Sequence, residues 1–207
     1  MVSNWVRSHS IRRAQRTLCL CVIAATIPHS LWGQAAVSCP AYSPAGPNVA
    51  LNPDFETVGP CGTSTVWQNG SGACGINSAA LNWSIHSSNT GTLVATYQLQ
   101  TSLPIGGLTK MLRIIARGNE SGVWQPLPAG MTSVMLSAWV YVRRGHVVLQ
   151  ANGGVTGPNA WNAKMNEWEE LRICTNGLVP VDTIVIYNED PAGGDFMVDR
   201  VEARQIN

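Results

Sequence analysis

Charge is what this sequence has least of. Of its 207 residues only 12% are Asp, Glu, Lys or Arg, about half the roughly 25% of an ordinary soluble domain. None of the 12 acids falls in the first 50 positions, whereas Arg7, Arg12, Arg13 and Arg16 crowd the amino end. Beyond residue 35, nine basic residues face 12 acidic ones, a net charge of −3. Without clustered Lys and Arg a chain cannot displace phosphate counterions, which argues against nucleic acid as a partner. Long hydrophobic runs are missing too. The uninterrupted small and apolar stretch, Leu18 to Ile27, would rise only about 15 Å as a helix, half the hydrocarbon thickness of a bilayer, so the mature chain has no expected membrane span. No Cys-x-x-Cys occurs, and only His86 and His146 lie beyond the amino-terminal segment, which speaks against zinc. Gly-x-Ser-x-Gly elbows, phosphate-binding glycine loops, internal repeats and convincing amphipathic helices are likewise absent.

What is present begins with an export signal. Arginines without acids, then the short apolar run, Pro28 and Gly33-Gln34-Ala35 read as a signal peptide over residues 1–35, cleaved near Ala35. The mature protein is therefore expected to be secreted, periplasmic or at the cell surface. It would keep Cys39, Cys61, Cys74 and Cys174, an even number in an oxidising compartment, where disulfides are the default. Three pairings are open. Cys61 and Cys74 bracket a loop containing Gly62, Gly70 and Gly72 that closes easily, which would leave Cys39 for Cys174.

Residues 36–48, with Pro40, Pro44 and Pro47, read as a Pro/Ala/Ser-rich lead-in, and the domain is expected over 49–207. From there apolar residues recur with period 2 in runs bounded by Gly, Pro or Asn. Eight runs stand out: residues 92–98, 111–116, 122–127, 133–142, 146–151, 168–174, 183–187 and 196–203. That pattern predicts an all-β fold, an antiparallel β-sandwich of jelly-roll type. Within 133–142, Val134, Leu136, Ala138, Val140 and Val142 share one side as a core face, and Met135, Ser137, Trp139 and Tyr141 share the other.

Several segments then recur in a familiar order. They are Val49-Ala50-Leu51-Asn52-Pro53-Asp54-Phe55-Glu56 with Trp67 after it; Gly122-Val123-Trp124-Gln125; Leu136-Ser137-Ala138-Trp139-Val140-Tyr141-Val142; Glu167-Trp168-Glu169-Glu170-Leu171; and Gly193-Gly194-Asp195-Phe196-Met197-Val198-Asp199-Arg200-Val201. Over residues 49–207 this series resembles the CenC-like carbohydrate-binding modules, jelly rolls of the galactose-binding-domain-like superfamily. Pro53, Arg200, the loop from Cys61 to Cys74 and the segment from Val155 to Asn166 depart from that pattern.

The resemblance implies a structural calcium where the first and last strands meet, with Glu56 and Asp199 as side-chain ligands, joined by Asn52 or Asp54, since calcium takes six to eight oxygens. Hydrogen bonding of Glu56 and Asp199 to loop amides is the alternative, with Arg200 as counter-charge. The resemblance also makes Gln125 a ligand contact and puts Trp67 and Trp168 in the core. The residues themselves add Trp124, out of phase with Val123, and Trp161, in an Asn- and Pro-rich stretch read as a loop; Tyr141 and Trp139 complete the candidate sugar-contacting set. No organic cofactor is implied. Glu167 with Glu169, and Glu189 with Asp190, read as solvated edges rather than a catalytic pair, so a non-catalytic binder of a polysaccharide or surface glycan is expected. A surface or matrix domain that contacts protein on the same sandwich is the alternative. Alignment of Trp124, Trp139 and Trp161 on one open face would favour the glycan, whereas scattered or buried tryptophans would favour the protein-contacting scaffold.

Overall fold

The computed structural model describes residues 39, 44–59, 64–67, 80–87, 95–100, 110–151, 158–175, 177 and 180–206, with the backbone alone for 64–67, 87 and 95–100. All of these belong to the unit Gln34–Asn207. The expected signal peptide and the expected Cys61–Cys74 pair lie outside the described residues.

Every described element is a strand: β1 Pro44–Ala45, β2 Ser64–Trp67, β3 Ser84–Ser87, β4 Ala95–Gln100, β5 Met111–Ala116, β6 Ser121–Pro126, β7 Val134–Arg144, β8 Val147–Ala151, β9 Asn159–Trp161, β10 Trp168–Cys174, β11 Thr183–Asn188 and β12 Gly194–Ile206. A seven-stranded sheet runs β10-β7-β12-β5-β4-β2, with β1 also paired to β12, and a five-stranded sheet runs β3-β6-β11-β8-β9. All pairings are antiparallel. The protein is the antiparallel jelly-roll sandwich that the period-2 runs predict, and each of the eight runs overlaps a strand among the described residues. β1, β2, β3 and β9 were not foreseen; each has four residues or fewer, too short for alternation to register.

The core lies between the sheets. Val134, Leu136, Ala138, Val140 and Val142 of β7 pack there with Ile184 and Ile186 of β11, Val147 and Leu149 of β8, and Phe196 and Val198 of β12. The face assigned to β7 by alternation is therefore the face it buries. At one edge Phe55 and Trp83 are both fully buried, their rings 5.2 Å apart, and the Trp83 indole N–H donates to the Asn52 carbonyl at 3.2 Å.

The segment expected as a lead-in is partly built into the sandwich. Pro44 and Ala45 pair with Ile206 and Gln205, and the Asn48 amide bonds to Val201 and Ala203 of β12. Cys39 is joined to Cys174 at the end of β10. Pairing with β12 thus begins ahead of Val49, because the last strand is long enough to leave backbone partners for Pro44, Ala45 and the Asn48 side chain.

Candidate functional site

Side chains alternate across a strand, so register decides which of them meet on a sheet's outer face. On the five-stranded sheet two rows cross the strands. One comprises Ser84, Trp124, Val185, Gln150 and Asn159; the other comprises His86, Gly122, Tyr187, Val148 and Trp161. Val148, Val185 and Tyr187 form a buried apolar bed against which half-buried Trp124 and Trp161 pack. Trp124 and Trp161 are therefore brought to one surface. Trp161 reaches it from a short strand, β9, and not from a loop, because Ala160 turns inward against Leu149 and leaves its two neighbours facing out.

Tyr187 and His86 belong to the same surface and were not among the candidates. Their rings lie 5.2 Å apart, across Gly122. That position admits no side chain: a Cβ there would collide with the Ile186 carbonyl and with Tyr187 itself. The missing side chain leaves room for the Tyr187 ring to lie over the strand. Burial pushes the Tyr187 phenol up to about 12, helped by Glu189 and Glu120, so the hydroxyl stays protonated. Burial likewise lowers His86, with Glu120 opposing, which favours the neutral ring at neutral pH. Trp161 is oriented by its indole N–H, which donates to Glu189 Oε2 at 2.9 Å.

Gln125 is not on this surface. In phase with Val123, it points inward and is fully buried. Its carboxamide oxygen accepts from the Leu51 N–H at 2.8 Å, and its NH2 donates to the carbonyls of Leu51 at 2.8 Å and Asn82 at 3.0 Å. The expected ligand contact is instead a polar clasp between β6 and two loop segments, with its hydrogen-bonding capacity consumed there.

Trp139 and Tyr141 are also apart from Trp124 and Trp161, so the three tryptophans do not align on one open face: two share a face and the third does not. Both stand on β7, in the other sheet, and face out opposite β10. Tyr141 and Trp168 meet with ring centroids 5.7 Å apart, so Trp168, expected in the core, is half-buried on that outer face. Local alternation placed these side chains outward correctly; it held no information about which sheet the strand would join.

The three expected calcium ligands fare differently. Asn52, with φ of 48°, uses its side chain to shape its own loop: Oδ1 accepts from the Thr57 N–H, and Nδ2 donates to the Thr57 and Leu81 carbonyls. Glu56 Oε1 accepts from the Lys110 N–H at 2.9 Å. Asp199, at a register shift in β12, is fully buried; Oδ1 accepts from the Arg200 N–H at 2.8 Å and Oδ2 has no partner. Desolvation pushes its carboxyl up to about 7; Arg200 opposes this, while Asp54 and Glu56 reinforce it. An orphaned buried oxygen among acids fits a cation at Asp199. The Asn52 side chain does not fit as a ligand, and no group of three metal-binding side chains is present among the described residues.

No protein-family model and no curated protein matches the sequence. Among solved structures, the CBM22-1 xylan-binding domain from Paenibacillus barcinonensis is similar with a TM-score of 0.51 and 12% identity, covering 80% of this chain and 98% of that one. TmCBM61, solved with β-1,4-galactotriose, gives a TM-score of 0.49 and 13% identity over 77% of this chain and 99% of that one. The enzymatically active domain of tailspike protein 4 from bacteriophage CBA120 gives 0.49 and 12%, over 77% of this chain but 21% of that one. By architecture, then, the chain has the jelly-roll fold found in carbohydrate-binding modules.

Proposed function

We propose that this protein is a secreted, non-catalytic carbohydrate-binding module whose glycan lies across the outer face of the five-stranded sheet. The observation that carries this reading is the convergence of half-buried Trp124 and Trp161 over one apolar bed of Val148, Val185 and Tyr187, with His86 against the Tyr187 ring. Sugar rings offer apolar C–H faces to flat aromatic side chains, and the indole and phenol edges add donors and acceptors for hydroxyls. Trp124 on β6 and Trp161 on β9 are separated by three strand spacings, about 14 Å across the sheet. One sugar ring cannot bridge them, whereas an oligosaccharide can. Export is supported by the Cys39–Cys174 disulfide.

Calorimetric titration tests the reading. Oligosaccharides of xylan, β-glucan or galactan should bind measurably, with affinity rising over the first few sugar units and monosaccharides far weaker. Heat from no glycan, together with retention of a surface protein, would replace this reading with the protein-interaction domain on the same sandwich.

We further propose that a calcium ion would bind at Asp199, with Glu56 beside it, and would there neutralise a buried carboxylate. Without calcium the folded state keeps the Asp199 proton up to about pH 7, whereas the unfolded chain releases it near 3.8. The folded state therefore binds more protons in this window, and this group makes stability fall as pH rises from about 4 to 7, by on the order of 3 kcal/mol. Thermal unfolding in chelator should show that fall, and millimolar calcium should flatten it. Identical pH profiles with and without calcium would remove the metal from the account.

A further inference from the structure

We infer that Glu189 determines the specificity of the aromatic face, holding the Trp161 indole in place and restricting the ligand to uncharged glycans. The inference rests on the proposed function and deepens it. Glu189 follows the last residue of β11 on a corner with little freedom. Its own N–H donates to the His146 carbonyl at 2.7 Å. The preceding Asn188 is fully buried, donates to the Gly118 and Asp190 carbonyls at 2.9 and 2.7 Å, and accepts from the His146 N–H at 3.1 Å. From this corner Oε2 accepts the Trp161 indole N–H at 2.9 Å and lies 3.5 Å from His146 Nδ1. A charge-assisted bond to the edge of a half-buried indole fixes the ring before ligand arrives, so less rotamer freedom remains to be lost on binding.

The charge matters as well as the bond. Glu120 stands at the same end of the sheet, its N–H donating to the Asn188 carbonyl at 2.6 Å. Glu189 and Glu120, both negative, act on Tyr187 at the middle of the face. Arg117 and Arg144 lie at strand ends of the other sheet, and neither forms an ion pair with these acids among the described residues. A uronate or sulfated chain laid across the face would bring like charge to this end, where screening is partial within about 10 Å at 0.1 M salt. A neutral chain meets no such cost and finds an acceptor for its hydroxyls.

Two substitutions separate the roles. Glu189→Gln keeps an oxygen that can accept the indole N–H but removes the charge; Glu189→Ala removes both. Tryptophan fluorescence titrations at low salt would compare neutral xylo- or galacto-oligosaccharides with oligogalacturonate of the same length. The parent should bind the neutral ligand at least tenfold more tightly. Glu189→Gln, which keeps the acceptor but loses its charge, should bind the neutral ligand less tightly than the parent but more tightly than Glu189→Ala, while gaining threefold to tenfold on the uronate, a gain that shrinks as salt screens the charge. Glu189→Ala should lose about fivefold to tenfold on the neutral ligand, the scale of one aromatic contact. Equal parent affinity for both ligands, or an unchanged ratio in Glu189→Gln, overturns the charge filter while leaving glycan binding intact. Unchanged neutral affinity in Glu189→Ala overturns the positioning role. A parent that binds neither ligand overturns the inference together with the function on which it rests.

Discussion

Replacing both Cys39 and Cys174 by serine is expected to lower the unfolding free energy by about 4–5 kcal/mol in the chain-entropy model. The two cysteines are 135 residues apart in sequence, so the bridge closes one long loop, from ahead of β1 to the end of β10, and removes a correspondingly large entropy from the unfolded chain. It also sits in packing of its own: Cys174 is buried with Met135 and Ile206, and Cys39 packs against that cluster. Urea denaturation of the parent, with and without reductant, and of the double serine variant checks this. The midpoint should fall in the variant without reductant, and reductant should lower that of the parent by at least as much. A midpoint that does not move would mean that β1 and the Asn48 contacts to β12 hold the amino-terminal segment without the covalent tie.

Gln125→Leu is expected to cost about 3–5 kcal/mol although the volume barely changes. Three backbone groups lose their partner at once: the Leu51 N–H, the Leu51 carbonyl and the Asn82 carbonyl. A buried group left unsatisfied costs roughly 1–3 kcal/mol, and water can reach some of these groups on relaxation. Gln125→Glu discriminates this clasp from simple packing. It preserves the oxygen for Leu51 N–H but turns a carboxylate toward two carbonyls, so its stability deficit at neutral pH should shrink in mild acid as the side chain protonates. If Gln125→Leu proves as stable as the parent, the clasp contributes nothing and the residue is free for another role.

Much of this could be read from the residues, because alternation is a local property. The phase of Val134 through Val142 correctly assigned the buried side of β7, and the phase of Trp124 against Val123 correctly put that indole outside. The same rule contained the answer for Gln125, two residues beyond Val123 and hence on its side of the strand; the family resemblance drew it outward, and the structure returns it to the interior. Tyr187 was likewise legible as an outward residue beside Val185, opposite Ile184 and Ile186. Its partnership with His86 was not, because that depends on the register of β3 and β11 on either side of β6. Nothing local could separate Trp139 and Tyr141 from Trp124 and Trp161, since sheet membership is a matter of long-range pairing. For the same reason the sequence left three cysteine pairings open and gave no sign of β1, which exists only because β12 extends to Ile206.

The most direct test of the account is affinity electrophoresis through gels containing xylan, β-glucan or galactan, run with the parent, Trp124→Ala, Trp161→Ala and Trp139→Ala. Each stacking ring contributes about 1–2 kcal/mol by analogy with other aromatic pairs, hence about tenfold in affinity. The account predicts that one of these glycans retards the parent, that Trp124→Ala and Trp161→Ala each lose most of that retardation while keeping the parent's circular dichroism, and that Trp139→Ala, altered on the opposite sheet, migrates with the parent. Loss of retardation in Trp139→Ala alone, or undiminished retardation in folded Trp124→Ala and Trp161→Ala, would contradict it.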